Sequence, residues 1–157
     1  MTLLLDLVRH ADALPKTPDG SDAERALSTL GHRQALMLAE RMRERGGYPQ
    51  QVWCSPATRT RQTLGALGYD FTAVARFEPR LYEAELDTLL DIVAELRPLA
   101  SRALLVAHNP GLQDLATWLV GLDAPEMRTA ATVRIQLPAR PERPLRGQGK
   151  LIDAWKP

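Results

Sequence analysis

Arginine and histidine side chains stand directly after two apolar runs of this chain. The segment LLLDLVRHADA, residues 3–13, ends its apolar run in Arg9 and His10, and the run ALLVA, residues 103–107, is followed by His108. The planar fork of an arginine side chain suits bidentate contact with a phosphate, and a neutral imidazole is a competent nucleophile. Such chemistry requires that the fold bring these side chains to one place.

Short apolar runs alternate with helical patterns along the chain, which is typical of parallel strands joined by crossover helices. We therefore predict a three-layer α/β sandwich with a mostly parallel central sheet and helices on both faces. The predicted strands are residues 3–8, 51–54, 74–77, 103–107, 132–137 and 150–155, the last two antiparallel at the sheet edge. The predicted helices run from a Ser28 cap to about Arg45, from Ser55-Pro56 to about Leu67, from an Asp87 cap to Pro98, and from Leu112 to Leu122.

The predicted sheet gathers the ionisable candidates at one edge. In open α/β sheets, ligands bind beyond the carboxyl ends of the strands, because loops and helix N-termini converge there. Arg9 and His10 follow the first predicted strand, and Arg59 lies one turn into the helix after the second. Glu83 lies on a loop after the third strand, and His108 follows the fourth. The two arginines and two histidines are therefore expected to form an anion pocket, for which phosphate is the natural ligand.

Each member of this pocket has an expected role. We expect His10 to be the nucleophile, because neighbouring arginine charges lower its pKa and keep the ring neutral near pH 7. Arg9, Arg59 and His108 are expected to bind the phosphoryl oxygens. Each charge-assisted hydrogen bond there contributes roughly 1.5 to 3 kcal/mol, and more if it tightens in the transition state.

A phosphoryl-transfer site also needs an acid that protonates a poor leaving group. Glu83 is the carboxyl group that the sequence places best for this step, which typically accelerates a reaction 10²- to 10⁴-fold. Glu85 and Asp12 are weaker candidates for the same role.

Composition and charge exclude several classes of function. With 157 residues, one domain over residues 1–157 is expected, and a formal net charge of +1 provides no global field for nucleic acid or a membrane. No apolar stretch approaches the roughly 20 residues that cross a bilayer. The single cysteine cannot form an intrachain disulfide, and the N-terminus lacks the pattern of a secretory signal. We expect a cytoplasmic protein that binds neither nucleic acid nor membrane.

Five segments of the chain carry motifs that recur together, and in this order, in one known family. They are LVRHADA at 7–13, RALSTLGHRQA at 25–35, CSPATRTRQT at 54–63, RLYEA at 80–84 and LLVAHNPGL at 104–112. The chain thereby resembles the histidine phosphatase superfamily, with its phosphoglycerate-mutase-like fold, and within it the small SixA-type phosphohistidine phosphatases. The resemblance implies that His10 is the phosphate-accepting nucleophile. It also implies that Arg9, Arg59 and His108 bind the phosphoryl group, and Glu83 matches the acidic position.

The resemblance further implies a metal-independent phosphatase that uses no cofactor. Its expected substrate is phosphohistidine on a protein, with a small phosphorylated molecule as the alternative. The imidazole of phosphohistidine can leave already protonated, so this substrate would depend little on proton donation by Glu83.

One position departs from the family, whose Arg-His-Gly is Arg9-His10-Ala11 here. If that position required a positive φ, alanine would cost stability or activity.

Three other interpretations compete with the phosphatase. A cysteine phosphatase requires Cys-x₅-Arg, but position 60 after Cys54 is Thr60, so Cys54 is expected to be a buried strand residue. His10, Asp12 and His108 would suit a metal-dependent hydrolase, although neighbouring arginines disfavour a cation there. A phosphoprotein-binding module without turnover would use the same pocket.

Overall fold

A six-stranded sheet forms the centre of the computed structural model, which describes all residues from 1 to 157. The strands are β1 (Thr2–Arg9), β2 (Gln51–Cys54), β3 (Ala75–Phe77), β4 (Arg102–Ala107), β5 (Thr132–Pro138) and β6 (Lys150–Trp155). Their order across the sheet is β3-β2-β4-β1-β5-β6. The first four in this order are parallel, whereas β5 runs antiparallel to β1 and β6 runs antiparallel to β5. The predicted mostly parallel sheet is confirmed, including its two antiparallel strands at one edge.

Helices cover both faces of the sheet. They are α1 (Thr29–Arg45), α2 (Thr58–Leu67), α3 (Tyr69–Thr72), α4 (Leu86–Leu96) and α5 (Gly111–Val120), with 3₁₀ turns at Asp22–Glu24 and Pro79–Leu81. Leu105 of β4 packs in the apolar cluster that contains α4 and α5, whereas Leu104 and Val106 pack in the cluster that contains α1 and α2. A strand that is buried on both faces reads as a continuous apolar run, which is why ALLVA lacks alternation. No helix has both the length and the apolar character needed to span a membrane.

The one charge inside the first apolar run is neutralised within the fold. Asp6 of β1 is buried and accepts hydrogen bonds from Arg134 at 2.7 and 2.9 Å and from Arg45 at 2.7 Å. Arg45 also pairs with Asp153 at 2.9 Å. Removing one member of such a network would leave an uncompensated buried charge, which is strongly destabilising. Asp6 therefore ties α1, β5 and β6 to the central strand.

Two helices begin at residues that differ from the prediction. The helix predicted from Ser55-Pro56 begins at Thr58, with Ala57 as its N-cap. The Ser55 hydroxyl accepts from the Ala57 amide at 3.3 Å and is also bonded to a histidine of the neighbouring loop. Arg59 is therefore the second residue of α2, not one turn inside it. The predicted Asp87 cap is also wrong, since α4 begins at Leu86. Asp87 lies instead in the first turn, where a negative charge still favours the helix.

Candidate active site

The parallel pairing of β1 with β4 makes neighbours of the two candidate histidines. Arg9 is opposite Ala107 in the register, and His10 and His108 are the next residues of their strands. The His10 amide donates to the Ala107 carbonyl at 3.2 Å, and the two imidazole rings lie 5.3 Å apart between centroids. Backbone pairing at the carboxyl edge of the sheet thus makes the two histidines neighbours.

Arg59 reaches the same edge from the second residue of α2. It is only 5% exposed. Its Nη1 donates to the Asp22 carbonyl at 2.8 Å, and its Nη2 donates to the Asp22 carboxylate at 3.0 Å. These two bonds fix one edge of the guanidinium fork. The Nε–H is buried and has no hydrogen-bond partner.

His10 is oriented by a bond to its own loop. The ring is 9% exposed, and its Nδ1 lies 2.7 Å from the Ala11 carbonyl oxygen. Because a carbonyl only accepts, Nδ1 is the donor in this pair, and Nε2 keeps the lone pair in the neutral ring. Burial lowers the pKa of His10 to about 4, and the charges of Arg59 and Arg9 act in the same direction. At neutral pH the ring therefore carries an available nucleophilic nitrogen.

His108 is held in the neutral state beside it. Burial, followed by the charge of Arg59, lowers the pKa of His108 to about 3. The ring is 6% exposed, its Nε2 lies 2.7 Å from the Ser55 hydroxyl, and the Tyr82 ring packs against it edge-on with centroids 5.6 Å apart. Its Nδ1 is buried without a partner. This histidine is fixed in place but has one nitrogen unused.

Three residues at this edge of the sheet have a buried side-chain nitrogen without a hydrogen-bond partner. Only seven buried side-chain nitrogen or oxygen atoms of the chain lack a hydrogen-bond partner, and three of them are Arg9 Nε, Arg59 Nε and His108 Nδ1. Leaving a buried polar group unpaired costs about 1 to 3 kcal/mol, and more for a charged group. Both arginine nitrogens carry a hydrogen to donate, and His108 Nδ1 carries one in the tautomer whose Nε2 accepts from the Ser55 hydroxyl, so all three are candidate donors to an anion beside His10. The arrangement is therefore suited to a phosphoryl group.

Asp22 is a site residue that the sequence pattern did not reveal. Its carboxylate accepts from Arg59, from the Tyr82 hydroxyl at 2.6 Å and from Arg25 Nη1 at 3.0 Å. The bond from Tyr82, followed by that from Arg25, holds the pKa of Asp22 well below its usual range, and the same Tyr82 bond raises the pKa of Tyr82 to about 12. Asp22 lies in a loop without periodic pattern and meets Arg59 only through the tertiary fold. It orients the arginine fork.

Glu83 lies at the rim and not among the clustered side chains. It is exposed, makes no side-chain hydrogen bond, and lines a groove of about 790 Å³ together with Arg59 and His108. Its φ of 52° places a non-glycine residue in the left-handed region, a strain of about 1 to 3 kcal/mol that is concentrated at functional sites in proteins. Of the weaker acid candidates, Glu85 also lines the groove, whereas the Asp12 carboxylate accepts from the Ser28 hydroxyl at 2.6 Å.

Alanine at position 11 is compatible with this loop. The two non-glycine residues with positive φ in the chain are Glu83 and Ala130, so position 11 does not need glycine. Ala11 is fully buried in a small cluster with Leu27, Ala35 and Ala130, and its amide donates to Thr63 Oγ1 at 3.0 Å. The methyl group therefore contributes packing that a glycine would lack.

The residues of the competing interpretations are placed differently. Cys54 is fully buried, as expected, and burial raises the pKa of its thiol to about 12, so the thiolate that a cysteine phosphatase needs is disfavoured. No group of three or more His, Cys, Asp or Glu side chains is arranged to hold a metal ion, and this includes His10, Asp12 and His108.

Burial of two neutral histidines predicts a dependence of stability on pH. Between pH 6.5 and about 4 the unfolded chain takes up protons at these rings and the folded chain does not, so the free energy of unfolding must fall as the pH falls. The loss is on the order of 3 kcal/mol for His10. Denaturant unfolding at several pH values measures how steeply the free energy of unfolding falls as the pH is lowered. We expect this dependence to be weaker for His10→Ala than for the native chain. The control is His32→Ala, which removes an exposed histidine. If the free energy of unfolding depended on pH equally in His10→Ala and His32→Ala, the pKa shift of His10 would be contradicted.

Comparisons with known proteins place this geometry in a family. The model of the histidine phosphatase superfamily (branch 1) matches residues 5–97. An uncharacterized protein of Mycobacterium tuberculosis (strain H37Rv) is 31% identical over 147 residues, which cover 93% of this chain and 90% of that protein. A protein of Agrobacterium tumefaciens assigned as the phosphohistidine phosphatase SixA has a TM-score of 0.85 at 24% identity, covering 99% of this chain and 98% of that one.

A second solved structure shows the same fold. The protein histidine phosphatase SixA complexed with tungstate has a TM-score of 0.82 at 22% identity, covering 99% of this chain and 97% of that one. These likenesses confirm the phosphoglycerate-mutase-like fold expected from the sequence. The family model alone spans 93 of the 157 residues, which is more than half. The chain therefore belongs to the histidine phosphatase superfamily, branch 1.

Proposed function

We propose that this protein is a metal-independent phosphatase that hydrolyses phosphohistidine on a protein through a covalent phosphohistidine intermediate at His10. One observation carries the proposal: the neutral imidazole of His10 lies at the edge of the sheet where Arg9, Arg59 and His108 each have a buried nitrogen without a hydrogen-bond partner. Membership of the histidine phosphatase superfamily supports phosphatase activity.

In the first step the phosphoryl group moves from the substrate to His10. Its oxygens accept hydrogen bonds from Arg9, Arg59 and His108, which neutralise the charge that is redistributed as bonds change. His10 Nε2 supplies the electron pair of the new P–N bond, and the bond to the leaving group breaks with its electron pair. The Nδ1–H bond to the Ala11 carbonyl stabilises the positive charge that the His10 ring acquires.

In the second step water hydrolyses the intermediate. A water oxygen attacks phosphorus, the P–Nε2 bond breaks, and the electron pair returns to His10. The water proton passes to a base, for which Glu83, an exposed carboxylate that lines the same groove as Arg59 and His108, is the proposed candidate. Phosphate then leaves and the neutral ring is restored.

The nature of the leaving group favours a phosphohistidine substrate over an ester. The imidazole ring of phosphohistidine leaves in neutral form once its second nitrogen carries a proton, whereas an alkoxide needs a well-placed acid. Glu83 is exposed and is not held by any hydrogen bond, so it is poorly fixed for such a task. A site of this kind is better suited to the easier leaving group.

A small phosphomonoester is the second candidate substrate. The groove beside His108 has a volume of about 790 Å³, which is within the range of small-molecule sites. The fold also occurs in a mycobacterial glucosyl-3-phosphoglycerate phosphatase, which has a TM-score of 0.69 at 18% identity and covers 99% of each chain. That likeness concerns the fold alone.

A substrate panel tests the proposal. We expect kcat/KM for a phosphohistidine protein to exceed that for small phosphomonoesters, and a chelator to leave both unchanged. Since kcat/KM measures recognition of the transition state, it compares the substrates directly. Turnover restricted to esters would favour the second candidate, and loss of activity in the chelator would indicate a metallohydrolase. Phosphate binding without any turnover would indicate a binding module.

A further inference from the structure

The groove that leads away from the site has an acidic wall. It runs from Arg59 and His108 past Glu83, Glu85 and Asp114. The last three carboxylates are exposed and have no cation within 4.0 Å. The chain as a whole has a formal net charge of +1, so this concentration of unpaired negative charge is a local feature.

Helix stabilisation explains only part of this wall. Asp114 lies in the first turn of α5 and Glu85 is the N-cap of α4, where negative charge favours a helix. The Glu85 side chain, however, makes no capping hydrogen bond. Glu83 precedes the helix altogether and is held in a strained left-handed conformation. A structural role for these carboxylates therefore leaves Glu83 and the Glu85 side chain without an explanation.

A second observation points to a ligand position at the inner end of this groove. His108 and Arg59 both line it, both are more than nine-tenths buried, and each has a buried nitrogen without a partner. A phosphoryl group bound there anchors the substrate, and the remainder of the substrate must extend along the wall of carboxylates. Opposite charges across an interface favour one partner and like charges disfavour another.

We propose that the groove binds a lysine or arginine side chain that flanks the phosphorylated residue of a substrate protein. This inference rests on the proposed function, because it assumes that the phosphoryl group is carried by a protein. Glu83, Glu85 and Asp114 provide the opposing charges, and a phosphorylated small acid would instead place its own carboxylate against them. Each exposed ion pair is expected to improve binding roughly two- to fivefold.

Two peptides with a non-hydrolysable phosphonate analogue of phosphohistidine provide the test. They differ only in the flanking residues, which are lysine in one and glutamate in the other. Calorimetry at low salt should show at least about threefold tighter binding of the lysine peptide, with a difference that shrinks as ionic strength rises. Equal affinities, or tighter binding of the glutamate peptide, would overturn the inference.

A double substitution identifies the groove as the origin of the preference. The variant Glu85→Gln with Asp114→Asn should lose most of the preference for the lysine peptide over the glutamate peptide. The control is Glu40→Gln with Glu44→Gln, which removes two exposed carboxylates from α1, outside the groove, and should retain the preference. A preference that survives the groove substitutions would also overturn the inference. Turnover of a phosphohistidine protein is a separate measurement, so its absence would contradict the proposed function and not the binding result.

Discussion

Replacing His10 with alanine should abolish hydrolysis, with a fall in kcat of at least about 10³-fold on every substrate that the native protein turns over. The substitution removes the nitrogen that is proposed to accept the phosphoryl group. Neither Ser55 nor Cys54 can replace it, because the Ser55 hydroxyl is bonded to His108 and the Cys54 thiol has a pKa raised by burial. Steady-state kinetics with a good phosphate substrate measure the effect.

Two controls separate chemistry from folding in this experiment. His32→Ala removes an exposed histidine of α1 and should retain native activity. Phosphate should still bind to His10→Ala, since the donors on Arg9, Arg59 and His108 are unchanged. Hydrolysis by His10→Ala within about tenfold of the native rate would end the assignment of this residue as nucleophile.

Replacing Arg59 with alanine should lower kcat/KM by about 10²- to 10³-fold, the loss typical of one preorganised donor to a developing charge. The substitution removes a buried cation from the proposed phosphoryl site and also removes one of the three side-chain donors to the Asp22 carboxylate. The negative charge of Asp22, now less compensated, would then repel the phosphoryl group. Both effects act in the same direction, which is why a large loss is expected.

Lysine should restore little of this activity. Arg59→Lys retains the charge but lacks the fork that contacts Asp22 with Nη1 and Nη2 and keeps Nε free. The matched control is Arg61→Ala, because Arg61 is an exposed arginine of the same helix whose guanidinium stacks on Phe77. If Arg59→Ala and Arg61→Ala had the same activity, Arg59 would not belong to the phosphate site.

The sequence was sufficient to predict which elements meet at the site. Continuous apolar runs identified β1 and β4, and the rule that ligands bind beyond the carboxyl ends of parallel strands placed His10 and His108 together. Backbone pairing does produce this proximity, with the two rings 5.3 Å apart. Strand order and register depend on the whole sheet and are hard to predict from sequence. A residue that directly follows a buried strand, however, must lie at the carboxyl edge of the sheet.

Contacts made by loops were beyond the reach of sequence patterns. The capping preference of Ser55 is a local rule, but in the fold its hydroxyl bonds to both the Ala57 amide and His108, and α2 begins at Thr58. Asp22 contacts Arg59, which is 37 residues later in the chain, and no periodic pattern around Asp22 predicts this contact. In both cases the side chain makes a hydrogen bond to a residue distant in the sequence, which local capping and helix preferences do not predict.

The backbone conformation of individual loop residues was equally hidden. The departure from the family at Ala11 suggested strain, but position 11 has no positive φ and its methyl group is buried in a small cluster. The non-glycine residues with positive φ are Glu83 and Ala130 instead. Dihedral angles of this kind depend on how a loop closes over its neighbours, and residue type alone is a weak guide to them.

Trapping the covalent intermediate tests the central claim most directly. The protein is mixed with a phosphohistidine substrate, quenched under alkaline conditions that preserve phosphohistidine, digested and analysed by mass spectrometry. We expect one phosphoryl group on the peptide that contains His10, formed and lost at rates compatible with turnover and absent from His10→Ala. Turnover without phosphorylation of that peptide, or with the phosphoryl group on another residue, would contradict nucleophilic catalysis by His10.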